Sequence, residues 1–319
     1  MPPVNPVLQH LHAWAKTSPL SDAARLGVAY SGGADSTALL HAAASQFPGR
    51  VIAIHVHHGL QTAADDFVRH CETTCAAIGV PLHVVQVQAK NASGESPEDA
   101  ARKVRYRALA DQALALGIST VALAQHADDQ VETLLLALSR GAGVAGLAGM
   151  PARFKRFGVS FVRPLLGVGA QAIRDGLDAQ GIAYISDPTN QNLGYTRNKI
   201  RHRLLPALAE VFPQYRETFA RSARNMALAQ EALAQAAMQL IAAVGQPPKI
   251  TALQGFPRAS QGNLLRHWLK TDFGVTGSEA QMNELLDQIA DCTTRGKGIR
   301  IKLATGFVER QGDVLAYLH

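Results

Sequence analysis

The stretch Arg25-Leu26-Gly27-Val28-Ala29-Tyr30-Ser31-Gly32-Gly33-Ala34-Asp35-Ser36 reads as an apolar strand running into a serine- and glycine-bearing turn, with a helical pattern continuing to about residue 47. A strand that hands over to a helix in this way leaves free backbone N–H groups, and the positive end of the helix dipole, facing whatever enters the turn. Glycines let a phosphate approach the backbone. The hydroxyls of Ser31 and Ser36 can donate to phosphate oxygens, and Asp35 can bind the Mg²⁺ that accompanies them. Ser31, Gly32, Gly33, Ala34, Asp35 and Ser36 are therefore candidate nucleotide-binding residues, although no Walker A pattern occurs anywhere. The plainer reading is a glycine-containing turn with Asp35 placed by the helix dipole alone.

Outward from this turn the same unit repeats. Apolar residues 51–56 precede a helix over roughly 65–78, a strand at 82–87 precedes a helix at 97–116, and a strand at 120–124 precedes a helix at 128–138. Strands alternating with helices of this length predict an α/β fold built on a doubly wound parallel sheet, with ligands at the carboxyl ends of its strands. Residues 159–166 offer one further strand. Residues 170–180 and 198–208 look helical around the polar insert Ser186-Asp187-Pro188-Thr189-Asn190, and alanine-rich 215–243 reads as one helix or two.

Gly245-Gln246-Pro247-Pro248 is the clearest punctuation in the chain. The expected division is a catalytic domain over 1–213, a helical linker over 214–248 and a smaller α+β substrate-binding domain over 249–319. In the last, Ile299, Ile301 and Leu303 alternate with Arg300 and Lys302, and Gly312-Asp313 offers a turn before residues 314–318, so a hairpin is expected.

With 47% hydrophobic and 18% charged residues the composition is that of a globular protein, too apolar for a disordered one. No stretch approaches the apolar length needed to span a bilayer, and Met1-Pro2-Pro3-Val4-Asn5 lacks a basic region followed by an apolar run. A cytoplasmic protein without a membrane partner is expected. Three cysteines make no disulfide framework. A net charge of +6, from 31 Lys+Arg against 25 Asp+Glu, leans toward polyanionic partners.

A second cluster, Gln125-His126-Ala127-Asp128-Asp129-Gln130-Val131-Glu132-Thr133, ends a strand and opens a helix whose buried stripe is Val131, Leu134, Leu135 and Leu138. Asp128 and Glu132 lie one helical turn apart, so with Asp129 their carboxylates can converge on one volume suited to a cation or an amine. Plain N-capping, with Asp129 and Glu132 imitating a capping box, accounts for one or two of the acids. The neighbouring Gly141-Ala142-Gly143-Val144-Ala145-Gly146 satisfies the dinucleotide fingerprint by letter, but it follows a helix and so lacks the required context.

Three further stretches are basic or rich in histidine. On a helix Arg102, Arg105, Tyr106 and Leu109 share a face, bringing two guanidiniums and a stacking ring together as nucleotide or RNA binding needs; a solvated face is the plainer alternative. Strand alternation sends His55 and His57 one way and His58 the other, which disfavours a three-histidine metal site and leaves nucleotide or RNA contact. Arg197, Lys199, Arg201 and Arg203 with Asn198 form a basic run in which Arg197 and Arg201 fall on one face.

The turn at residues 31–36 resembles the pyrophosphate loop of the ATP pyrophosphatase (PP-loop) superfamily, which implies cleavage of ATP between its α and β phosphates. The run from His126 to Glu132 and on through Arg140-Gly141 to Gly146-Leu147-Ala148-Gly149-Met150 resembles the tRNA(Ile)-lysidine synthetase family. So do His55-Val56-His57-His58-Gly59-Leu60, Ala101-Arg102-Lys103-Val104-Arg105-Tyr106, Arg163-Pro164-Leu165-Leu166 and Asp187-Pro188-Thr189-Asn190 with Arg197-Asn198-Lys199-Ile200-Arg201-His202. The resemblance runs from about residue 26 to the end, loosely after 248. Gln61 stands where a basic residue is expected and Thr189 where serine is more usual.

What the resemblance implies is an ATP-dependent ligase. The C2 carbonyl oxygen of the wobble cytidine of an isoleucine tRNA attacks the α-phosphate of ATP, and the amine of free lysine then displaces AMP. It implies ATP and Mg²⁺ as cofactors and the tRNA anticodon region and free lysine as partners; a homodimer is one form open to the chain. The expected catalytic residues are Asp35, Asp128, Asp129, Glu132 and Arg197. Residues 31–36 with His57 and His126 are expected at the nucleotide, Arg102, Arg105, Tyr106, Asn190 and Arg201 at the tRNA, and Asp35 at Mg²⁺ through the ATP phosphates. The nearest rival is a PP-loop tRNA sulfurtransferase, for which Cys71 and Cys75, one helical turn apart, are the tempting feature; their spacing is not that of a redox pair, and core packing is the commoner fate of helical cysteines. A binding module without turnover would need the loop but not the acids.

Overall fold

The computed structural model describes residues 5–18, 20–21, 23–57, 63–87, 97–294 and 297–318. The chain divides into two compact units, Met1–Asn225 and Met226–His319.

The first unit carries strands β1 (Leu26–Ala29), β2 (Val51–His57), β3 (Leu82–Gln86), β4 (Thr120–Ala122), β5 (Arg153–Arg156) and β6 (Val159–Val162), ordered β3-β2-β1-β4-β6-β5. All pairings are parallel except β5 with β6. Its helices are α1 (Pro6–Thr17), α2 (Ala34–Gln46), α3 (Ala63–Ala77), α4 (Pro97–Ala115), α5 (Ala127–Ser139), α6 (Val144–Leu147), α7 (Ala170–Asp178), α8 (Thr196–Lys199) and α9 (Leu205–Val211). The central strands are apolar on both faces because helices cover both. Val28 packs in one core with Leu11 of α1, Leu39 of α2, Cys71 of α3 and Ile173 of α7. Ile54 and Val121 pack in another with Tyr106 and Leu109 of α4 and Phe161 of β6.

The sheet grows from β1 through β2 to β3 on one side, and from β4 to β6 on the other. The turns after β1 and β4 therefore open side by side where the winding reverses, which is where open α/β sheets bind ligands. The two motifs singled out in the sequence occupy those two turns.

Strand β5 is an addition to the expected set. Phe157 and Gly158 join it to β6 with φ of 51° and 81°, the positive pair that a tight two-residue hairpin requires. Three of its four residues are cationic, so the stretch reads from sequence as solvated surface, yet Phe154 stacks on Phe161 at 5.3 Å between ring centroids. The single helix expected at 198–208 is α8, a π-helical turn over Ile200–Leu204, and α9. Pro206 has no N–H to give to residue 202, so the α pattern cannot run through unbroken.

Residues 215–244 form one helix, α10 (Tyr215–Val244), and the division between the units falls inside this stretch, where the sequence suggests a linker. By length and composition α10 is long and apolar enough to cross a membrane, with a mean hydropathy of 1.2 in its most apolar window. This corrects the expectation that no stretch approaches that length. Alanine supplies the apolarity, with Gln230, Glu231, Gln235 and Gln239 interspersed.

The second unit adds α11 (Ile250–Gln254), α12 (Arg258–Phe273), α13 (Glu279–Ala290) and an antiparallel sheet of β7 (Arg300–Leu303), β8 (Gly306–Gln311) and β9 (Val314–Leu318). Trp268, Leu285, Ile301, Leu303, Val308 and Leu315 share its core. The expected hairpin is thus a three-stranded meander. The turn at Gly312-Asp313 joins β9 to β8, whose polar end Glu309-Arg310-Gln311 hides it in the sequence.

Candidate active site

The loop after β1 is drawn tight by its own hydroxyls. The Ser31 N–H donates to Ser36 Oγ at 3.1 Å, Ser36 Oγ donates to the Gly33 carbonyl at 3.0 Å, and the two serine hydroxyl oxygens lie 3.0 Å apart. Gly32 has φ +82°, and a Cβ there would come within 3.2 Å of Cys71 Sγ, so both backbone and space require glycine. Gly33 is the N-cap of α2 and brings no side-chain cap, which leaves the first-turn N–H groups facing outward for an anion. Thr37 Oγ1 and the Ile185 N–H both donate to the Gly32 carbonyl, at 3.3 and 2.9 Å, and fix the loop from behind.

At the end of the adjacent strand β4, His126 caps α5. Its Nδ1 accepts from the Asp129 N–H at 3.3 Å while Asp129 Oδ2 accepts from the His126 N–H at 3.1 Å. The capping box is therefore His126 with Asp129, not Asp129 with Glu132. On its other edge His126 Nε2 lies 3.6 Å from Asp35 Oδ2 and 3.4 Å from Asp129 Oδ2. Burial alone would push this imidazole's pKa down, but the hydrogen bond with Asp35 and the charges of Asp129, Asp35 and Asp128 raise it above the ordinary histidine value. The phosphate loop and the acidic helix thus meet through one buried ring.

Glu132 is fully buried, and Arg201 grips both its oxygens: Nε to Oε1 at 2.7 Å and Nη2 to Oε2 at 3.1 Å. The same Nη2 reaches Asp129 Oδ1 at 3.1 Å, and Arg197 Nε lies 3.6 Å from Glu132 Oε2. Burial lifts the Glu132 carboxyl above its usual range, with the guanidiniums of Arg201 and Arg197 offsetting part of that rise. Arg197, expected to be catalytic, and Arg201, expected at the tRNA, both turn inward, and Arg201 lies in the π-helical turn. Such turns are frequent at functional sites.

Asp128 does not join this group. One residue along from Asp129 means about 100° around the helix, and its carboxylate turns to the starts of α7 and α10. Oδ2 accepts from the Ala170 N–H at 2.8 Å, and Oδ1 accepts from the Tyr215 hydroxyl at 2.9 Å and Arg216 Nε at 2.7 Å. Burial would raise its pKa, but these donors and the Arg216 charge bring it below the ordinary aspartate value. It is a tie between three helices and not a free ligand.

Tyr106 also departs from expectation. Its ring lies in the core, 3% exposed, edge-on to Phe154 and Phe161, with its hydroxyl on Arg163 Nη2 at 3.2 Å. Arg105 is exposed, so the inward face of α4 holds Tyr106 and Leu109 with Arg102 at its margin, 5.7 Å from the Tyr106 centroid. Arg163, buried, reaches Gln125 Oε1 at 3.0 Å and so braces the residue before His126. Asn198 donates to the carbonyls of Thr189 and Asn192 at 3.0 and 2.9 Å, and Asp187 accepts from both the N–H and the hydroxyl of Thr189. Thr189 thus does what a serine would do there.

His55 is buried and its Nδ1 meets the Tyr30 carbonyl at 2.9 Å, while His57 ends β2 half-buried. His58, Gly59, Leu60 and Gln61, and the side chain of Asn190, lie outside the described residues. Cys71 and Cys75 are buried, and burial pushes their thiols up to about 12 and about 11. Arg216 and Tyr215 carry no sequence signal that marks them for the site, and Gln130 lies within the second motif without a role of its own there. Gln130 holds both the N–H and the carbonyl of Met150, at 2.8 and 3.1 Å, which fastens the glycine-rich turn to α5.

Comparison with known proteins gives the family. Residues 6–208 match the model of the PP-loop domain, and residues 249–315 that of the TilS substrate binding domain. The chain is 57% identical to the tRNA(Ile)-lysidine synthase of Polaromonas naphthalenivorans over 98% of its own length and 95% of that relative. It is 40% identical to the tRNA(Ile)-lysidine synthase of Burkholderia mallei, covering 85% of this chain and 57% of that longer protein. Among solved structures, the U34-tRNA thiolase NcsA from Methanococcus maripaludis superposes with a TM-score of 0.60 at 14% identity, over 69% of this chain and 78% of that one, a likeness of fold. With a PP-loop unit, a TilS substrate binding domain and close identity along nearly its whole length, the chain belongs to the tRNA(Ile)-lysidine synthase family of ATP-dependent, carbon–nitrogen bond-forming ligases.

Proposed function

We propose that this chain joins free lysine to C2 of the wobble cytidine of an isoleucine tRNA, in the cytoplasm, with ATP cleaved to AMP and pyrophosphate. The observation that carries the reading is His126, one ring touching Asp35 of the anion cradle and Asp129 of the acidic helix. A nucleotide and an amine are thereby brought to one crevice.

In the first step the cytidine C2 oxygen attacks the α-phosphate. The uncapped first turn of α2 binds phosphate oxygens, and charge developing on them is met by fixed N–H dipoles that need no reorganisation. Asp35 Oδ1 is buried without a hydrogen-bond partner, which fits Mg²⁺ brought by the phosphates. That ion would neutralise phosphate charge. Among the described residues no group of three or more His, Cys, Asp or Glu could hold a metal by itself, so Asp35 would share the ion with ATP.

In the second step the lysine amine, with a pKa of about 10.4, arrives as an ammonium and must lose a proton before attack. Asp129 is the carboxylate assigned to receive it, because Arg201 reaches it through one nitrogen only, whereas Arg201 holds both oxygens of Glu132. Arg197 Nε is buried with no hydrogen-bond partner and is placed for an anionic oxygen of the adenylate or the lysine carboxylate. Arg102 and Arg105 remain candidates for RNA phosphate.

The test is incorporation of labelled lysine into purified isoleucine tRNA. The reading requires incorporation that depends on ATP and on the wobble cytidine; ATP-dependent sulfur incorporation without lysine would overturn it in favour of the sulfurtransferase.

A further inference from the structure

The edge of the catalytic sheet carries a line of cations that the adenylation and lysine sites do not use. Strand β5 presents Arg153, Lys155 and Arg156, and among the described residues no carboxylate pairs with any of them. Arg156 lies 5.0 Å from the centroid of Phe157 and 5.4 Å from that of Tyr106, and Arg107 lies 5.2 Å from the same Phe157 ring. Two guanidiniums on one ring repel each other, and only Arg107 has an acid, Asp111 at 2.9 Å. Phe157 holds φ +51°, which an aromatic residue adopts only where its surroundings fix it. The turn that sets this φ also places the Phe157 ring between the two guanidiniums.

The line also has a direction. Arg153 pairs with Val162 at the carboxyl end of β6, and the next residue, Arg163, bonds Gln125 beside His126. Arg156 pairs with Val159 at the far end. Alternation puts Arg153 and Lys155 on one face of the strand and Arg156, with Phe154, on the other, so the cations flank about 10 Å of sheet edge from both sides, at about 3.3 Å per residue.

We propose that this edge, Arg153, Lys155 and Arg156 with Arg107 beside them, docks the sugar-phosphate backbone of the tRNA as it leads into the crevice. The proposal rests on the tRNA reading above. An edge strand rich in cations also resists pairing with another sheet, and that alone explains one lysine, but not two guanidiniums gathered on one ring.

The experiment measures tRNA affinity of the full chain against salt for the wild type, for Arg153→Ser/Lys155→Ser/Arg156→Ser, and for Lys155→Glu alone. The triple variant is expected to bind about tenfold or more weakly, with the log–log salt slope shallower by about 2, at roughly 0.7–0.9 for each phosphate no longer neutralised. Lys155→Glu, an exposed change that carries the proposal if the triple variant does not fold, is expected to weaken binding in the same direction. Unchanged affinity, or weaker binding with an unchanged slope, overturns the docking edge. A wild-type chain that fails to bind tRNA at all overturns the tRNA reading itself.

Discussion

His126 Nε2 stands 3.6 Å from Asp35 Oδ2 and 3.4 Å from Asp129 Oδ2, although Asp35 opens the helix after one strand and Asp129 the helix after another. The juxtaposition follows from a sheet that reverses its winding between β1 and β4.

Asp35→Asn keeps the size of the side chain and removes the charge beside an uncapped helix end. Pyrophosphate release with tRNA and ATP is expected to fall at least about 100-fold, the scale seen when one group that stabilises a transition state is removed, with an unchanged thermal midpoint. Steady-state kinetics and a melting curve check it.

Asp128→Asn tests the tie. Because the native pKa of Asp128 is depressed, its contribution to stability is fully present above the unfolded value of about 3.9 and is lost as pH falls through the lower native value. The variant should lose about 1–3 kcal/mol at neutral pH and show a flatter fall in stability below about pH 4 than the wild type, read by urea unfolding against pH.

Glu132→Gln leaves Arg201 with a neutral partner beside a buried position. A loss of about 1–3 kcal/mol is expected, below the range for a broken buried pair, because burial already opposes the Glu132 charge and Arg201, one-third exposed, keeps Asp129. Lysine-dependent turnover should fall with it, since Arg201 and Arg197 lose their anchor.

Cys71→Ala/Cys75→Ala separates the two tRNA chemistries. Thiols pushed up to about 12 and about 11 are protonated at neutral pH and are poor nucleophiles. The double variant is expected to retain lysine incorporation, and slow alkylation of the wild type at pH 8 should accompany that result; a sulfur carrier would lose its activity.

Gly32→Ala meets both φ +82° and Cys71 Sγ at 3.2 Å. It is expected to cost about 1–3 kcal/mol and to abolish nucleotide binding, as calorimetric titration with ATP would register.

The parallel sheet and the nucleotide turn are legible in the sequence because both are local patterns: alternation of apolar runs with helical stretches, and glycine at a strand end. The direction of each acid is not. Asp128 and Asp129 are adjacent in sequence, and their fates are decided by Arg216 and Arg201, 88 and 72 residues away. Tyr106 reads as a surface aromatic among arginines until Phe154 and Phe161 close over it. Strand β5 stays hidden because an edge strand needs few apolar residues.

The phosphate loop and the acidic helix work as one site, and a double-mutant cycle tests their coupling. Asp35→Asn and Asp129→Asn, singly and together, are compared by kcat/KM for lysine-dependent pyrophosphate release. Residues joined through one imidazole should be coupled by about 1–3 kcal/mol, so the double variant should fall little below the worse single one. Losses that add to within about 0.5 kcal/mol would mean that the loop and the acids form two independent sites.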